Sequence, residues 1–205
     1  MTLPSPQTDF GEIPLGRTCA TQLVALLETN DYDVTGSIEE IRQILDPLLA
    51  HEDLLEIAVP RDPNHIGRSW WLYYDPQLSL ILAEVKQLEE VPVHNHGTFE
   101  IASVYQGAIK YSSYIRKDDG TASYYAELET TEDRIMRAGD IAAVPLPPND
   151  IHGFVGLAET SYILGISGAL KPDRLYFDPH RSFYVERQQQ AWRHGSKNTS
   201  SADTR

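Results

Sequence analysis

The chain has 205 residues, 41% of them hydrophobic, enough for one domain with its own core, with or without appendages. A formal net charge of −13 argues against phosphate backbones and anionic membrane surfaces, so neither nucleic acid nor a membrane is expected as a partner. Cys19 is the single cysteine, no basic-then-apolar leader opens the chain, and no apolar run nears the ~18 residues of a membrane helix; a reducing, cytoplasmic setting is the expectation.

Residues 1–16 hold three prolines and little apolar periodicity, which predicts an extended N-terminal arm. Residues 17–62 are expected to form helices that cover an open face of a sheet. In the first helix, Leu23, Val24, Leu26 and Leu27 recur at helical spacing over 18–28. Ser37 with Glu40 three residues later is a capping box, and Ile38, Ile41, Ile44, Leu45, Leu48 and Leu49 follow it as a second helix. Asp46-Pro47 should kink or end that helix.

From about residue 63 the pattern changes to short strands. They are predicted at 68–74, 78–85, 93–106, 108–116, 123–129, 133–136, 141–145, 151–155, 160–167 and 175–177. Turns fall at Asp75-Pro76, Gln106-Gly107, Lys117-Asp118-Asp119-Gly120, Ala138-Gly139-Asp140 and 146–150. Such spacing predicts a mainly β, antiparallel barrel or sandwich over 63–192. Residues 193–205 are polar and Ser/Thr-rich, and disorder is expected there.

The chemistry concentrates in Val93-His94-Asn95-His96-Gly97-Thr98-Phe99-Glu100. On an unbulged strand His94, His96, Thr98, Glu100, Ala102 and Val104 share one face. Two strand positions span ~6.6 Å, so two ring nitrogens at that offset can lean onto one ion. Neutral imidazoles suit iron, zinc, copper and nickel, and a carboxylate adds a hard oxygen donor. The bland alternative is a chance histidine pair on a barrel strand. Gly97-Thr98 reads as a bend in the strand.

His94-x-His96, three residues, Glu100, six residues and Gly107 resemble the first motif of the cupins. Gly139, five residues, Pro145 and then His152 resemble the second motif, with a longer interval between proline and histidine. Within cupins, the N-terminal helices, Tyr74-Asp75-Pro76, the run from Val93 to Thr98 and Asp150-Ile151-His152 resemble the thiol dioxygenases, the cysteine and 3-mercaptopropionate dioxygenases. The resemblance implies a double-stranded β-helix barrel with an N-terminal helical layer. It implies iron(II) held by His94, His96 and His152, with manganese, nickel or zinc as alternatives. It implies dioxygen and a small thiol as reaction partners, and it allows a homodimer.

Departures from that family are specific. Thiol dioxygenases lack a glutamate at the Glu100 position, whereas the wider cupin group uses it as a fourth ligand. Ile163, Gly165 and Ser167 align where those enzymes carry a Ser-His-Tyr set, and Ile101 falls where some carry a cross-linking cysteine. Glu100 can therefore ligate the metal, or hydrogen-bond a bound water or a ligand histidine. Arg174 lies near the substrate-carboxylate arginine of the mercaptopropionate enzymes, and is read either as a bidentate clamp or as a surface ion pair with Asp173 or Asp178. The expected function is a non-haem iron dioxygenase for a small thiol-type substrate. The alternatives are a lyase, isomerase or carbon–carbon-cleaving dioxygenase with three histidines and one glutamate, or a non-catalytic small-ligand binder.

Overall fold

The computed structural model describes residues 13–61, 68–169 and 173–188. The arm expected over residues 1–12 and the disorder expected over 193–205 lie outside them. Helix α1 (Pro14–Thr29) starts earlier than its leucines suggest. Proline is pre-set for a first helical turn, where no amide donor is needed, so Pro14 to Gly16 belong to the helix rather than to an arm. Helix α2 (Ile38–Leu49) is preceded by Ser37, as the capping box predicted, yet the capping hydrogen bond is not made. The Ser37 hydroxyl instead accepts a hydrogen bond from the Asn30 side-chain amide at 2.9 Å. Pro47 does not end α2; it sits in the last turn, and the helix closes two residues later at Leu49. A short helix, α3 (Leu54–Ile57), follows.

Among the described residues twelve strands come next: β1 (Val59–Pro60), β2 (Ser69–Tyr74), β3 (Leu78–Lys86), β4 (Glu90–Asn95), β5 (Glu100–Gln106), β6 (Ala108–Arg116), β7 (Leu128–Arg137), β8 (Ile141–Val144), β9 (Ile151–Gly156), β10 (Thr160–Gly168), β11 (Asp173–Asp178) and β12 (Phe183–Gln188). They form two antiparallel six-stranded sheets, ordered β1-β2-β3-β10-β5-β8 and β12-β11-β4-β9-β6-β7. This is the mainly β, double-sheet architecture expected from the strand spacing. The candidate at 133–136 lies within β7, but of the candidate at 123–129 only residues 128 and 129 do; residues 123–127 form a turn with one isolated bridge, Tyr125 to Phe183. A register shift opposite Ser113 and Tyr114 absorbs an extra residue, which broke the alternation in the sequence.

Side-chain parity separates two interiors. Leu80 and Leu82 of β3, Ile101 and Tyr105 of β5, and Leu164 and Ile166 of β10 pack with Leu23, Leu27, Ile41, Leu45 and Leu48 of the helices. Burying each of the large aliphatic side chains contributes roughly 1.5–3 kcal/mol, so this seam holds the helical layer on the sheet. The opposite parity of the same strands, including Ile81, Ala83, Glu100, Ile163, Gly165 and Ser167, faces a cavity between the sheets. Among the described residues no helix is long and apolar enough to cross a membrane.

Candidate metal centre

The central motif does not run along one strand. β4 ends at Asn95, Gly97 turns the chain at φ 68°, and Glu100 opens β5 in the opposite sheet. His94 and Glu100 thus approach the cavity from facing sheets, not from one face of a single strand. The parity reading holds only within β5, where Glu100, Ala102 and Val104 all point inward, away from the helical seam. The expected bend at Gly97 is present.

His94 is the cross-strand partner of His152 on β9, which places the two rings side by side. Their centroids are 5.0 Å apart. His96 lies beyond the end of β4, so strand pairing does not hold it. The buried carboxylate of Asp150 does: its Oδ2 accepts the backbone N–H of His96 at 3.0 Å and that of Gly97. Nδ1 of His94 donates to the Pro92 carbonyl at 2.8 Å. That bond puts the proton on Nδ1 and leaves Nε2 with its lone pair. Tyr176 of β11 stacks on the outer face of the same ring, 5.8 Å between centroids and 25° between planes.

One donor atom from each of His94, His96 and His152 lies within 4.8 Å of the others, and all three side chains are buried. Nε2 of His96 is 3.0 Å from Nε2 of His152. Two imidazole nitrogens ~2.1 Å from one ion, at about a right angle, take that separation. Glu100 sits at the edge of the cluster. Its Oε2 accepts from the Ser167 hydroxyl at 3.0 Å and also presses on Nδ1 of His96. The latter contact is close, yet that nitrogen makes no hydrogen bond. Oε1 is 3.8 Å from Nε2 of His152.

Burial holds all three imidazoles neutral well below their usual range, and pushes His152 down to about 3. Neighbouring His96, Arg174 and His152 lower His94 further. Burial raises the Glu100 carboxyl, an effect opposed by His152, Arg174 and the Ser167 bond. Neutral rings offer lone pairs without first losing a proton. Three such rings and a carboxylate, brought within reach of one point, form a donor set that fits a divalent first-row ion.

Above the cluster the cavity holds about 80 Å³, against the ~10–15 Å³ one water needs on the same measure, so a small organic molecule fits. Ile81, Ala83, Val91, Phe154 and Ile163 form its apolar wall. Arg174 is 6% exposed and lines this cavity, so it is a cavity residue and not the surface residue of the second reading. The strand positions aligned with the Ser-His-Tyr set, Ile163, Gly165 and Ser167, also line it, and Ser167 serves Glu100. Three contributors were not foreseen: the bracing role of Asp150, Ser167 as partner of Glu100, and Arg61. The Asp-x-His spacing marked the first. Nothing in the pattern marked Arg61, which follows a two-residue strand.

No family model and no curated protein matches this chain. Solved structures do resemble it. KdgF from Halomonas sp. is 18% identical, with 55% of this chain and 88% of that chain covered and a TM-score of 0.41. An RmlC-like cupin from Shewanella frigidimarina NCIMB 400 is 17% identical over 57% of this chain and 87% of that chain, TM-score 0.42. An RmlC-like cupin from Ralstonia eutropha JMP134 is 15% identical over 64% of this chain and 73% of that chain, TM-score 0.43. No activity follows from likeness at this level.

Proposed function

We propose that this protein is a mononuclear metalloenzyme that uses iron(II) and dioxygen to oxidise a small organic substrate. The convergence of His94, His96 and His152 beside Glu100, at the floor of a small apolar cavity, carries this reading. Iron(II) in that site would supply the electron chemistry toward dioxygen that no side chain here can perform. The same donors suit manganese, nickel or zinc.

The chain's own residues do the rest. The three neutral imidazoles hold the ion and leave open positions for small ligands. Glu100, steadied by Ser167, adds negative charge and a fourth donor through Oε1. The apolar wall excludes bulk water and strengthens every charge interaction inside. Arg174, on β11 beside the strand that carries His94, takes a substrate carboxylate through paired N–H donors and fixes its orientation.

Glu100 bears on the choice of substrate. A carboxylate at this point lowers the charge of the centre and occupies space that a thiol bound at two points would need. Its place beside His96 and His152 therefore favours a substrate bound at one point over the two-point thiol of the sulfur dioxygenases. It equally supports a second reading, a lyase or isomerase that uses all four donors. Metal analysis of the purified protein, followed by oxygen-electrode assays with cysteine, cysteamine, 3-mercaptopropionate and a panel of small carboxylates, separates these. About one iron per chain and oxygen uptake with a panel member is the expected result. A protein that retains no first-row metal overturns the proposal, and retained metal with no uptake directs it to the non-oxidative reading.

A further inference from the structure

Arg61 has no part in holding the metal, yet it lines the same cavity as Arg174 and Glu100. Its backbone N–H donates to the Ser69 carbonyl at 2.9 Å, which ties it to the start of β2. Its guanidinium lies 4.0 Å from the centroid of the Trp71 ring. That stacking fixes the plane of the fork and leaves its N–H edge for hydrogen bonding. The Nε atom is buried and makes no hydrogen bond. Ser69, also lining the cavity, is 6% exposed, and its hydroxyl makes no hydrogen bond either. Two buried polar groups without partners, side by side on one wall, are costly unless a ligand completes them.

The charges point the same way. Burial, with the nearby charge of Arg174 adding to it, lowers Arg61 to about 10. Two guanidiniums and a single carboxylate are the charged groups among the described residues lining this cavity. A divalent cation adds to the positive excess. In a mostly apolar enclosure that excess attracts anions and repels cations strongly.

We infer that Arg61 is a specificity-determining residue: with Ser69 and Arg174 it forms an anion-binding end of the cavity, and the ligand admitted there is a small dianion bearing no ammonium group. This rests on the cavity being the substrate site proposed above. A ligand with two acidic groups sets one against Arg61 and Ser69 and the other toward Arg174 or the metal. A ligand of the same length with an ammonium in place of one carboxylate sets like charges together.

Calorimetric titration of the purified protein with malonate and with β-alanine tests it, with metal content measured on the same samples. Malonate is expected to bind at least about tenfold more tightly than β-alanine. Arg61→Gln should lose about tenfold or more in malonate affinity while keeping its metal content and melting temperature. If that variant is misfolded, Ser69→Ala is read instead, with a loss of roughly fivefold expected from one neutral hydrogen bond. Malonate binding unchanged in the folded variant overturns the inference, as does equal binding of β-alanine or no malonate binding by the unaltered protein. Arg61-dependent malonate binding by a protein that holds no metal would instead sink the metalloenzyme reading and leave this one standing.

Discussion

Truncating Asp150 to alanine should weaken both the fold and the metal site. Its carboxylate is 1% exposed, and one of its oxygens accepts two backbone N–H groups, from His96 and Gly97. Removing it leaves two amides at the buried turn without their acceptor, at roughly 1–3 kcal/mol each, so about 2–6 kcal/mol of stability is at stake. Against the ~5–15 kcal/mol by which domains are folded, that is a large share. The same turn sets the ring of His96, which no strand pairing holds. Loss of a partner that orients a ligand typically costs about 10–100-fold in metal affinity. Asp150→Asn keeps an acceptor oxygen but not the charge, and charge-assisted bonds are about twice as strong as neutral ones. It should therefore lose about half as much. Urea denaturation of chelator-treated protein gives the first quantity, and competition with a chromogenic chelator gives the second. An alanine variant within ~0.5 kcal/mol of the parent, with unchanged metal affinity, would refute the bracing argument.

Other outcomes follow from the same geometry. His94→Ala removes one of three converging imidazoles and should abolish stoichiometric metal retention, read by elemental analysis; full retention would displace the site. Glu100→Gln keeps the shape and a partner for Ser167 while removing the charge, so a metal affinity that stays within twofold of the parent would exclude ligation by Oε1. His152 stays neutral down to about 3 in the folded chain, whereas the unfolded chain takes up that proton near 6.5. The unfolded state therefore binds more protons between those values, and the metal-free protein should lose stability as the pH is lowered below about 6.5. The raised Glu100 carboxyl works in the opposite sense and offsets part of this loss. Urea midpoints that stay level from neutral pH to pH 5 would contradict it. Cys19 is buried, with its thiol pushed up to about 12, so iodoacetamide at pH 8 should label it only after denaturation.

The strands were legible because short apolar runs recur between turn residues: β3 sends Leu78, Leu80 and Leu82 and β10 sends Leu164 and Ile166 to the helical seam, while Ile81, Ala83, Ile163, Gly165 and Ser167 face the cavity. The His94, His96 and His152 set was legible from spacing and resemblance together. Its geometry was not. Strand parity predicted one face, while the glycine turn at 97 carries the chain from one sheet to the other, an event that no periodicity encodes. β12 escaped notice because a short edge strand carrying Glu186 and Arg187 needs little apolar pattern. Arg174 read better as a surface residue, since its burial depends on how β11 lies against β4. Arg61 was invisible for the reason that applies to most cavity residues on loops: its place is set by the neighbour it stacks on, Trp71, and not by its own sequence surroundings.

The hand-over of the motif between sheets has a mechanical consequence. With His94 and His152 on one wall and Glu100 on the other, an ion held by all of them, as proposed, would act as a rivet between the sheets. Prying the walls apart would tear the ligand set, and loading the ion would clamp them shut. Breathing of the barrel and occupancy of its centre are then one equilibrium viewed from two ends, and slower amide exchange in β4, β5 and β9 on metal loading is its expected signature.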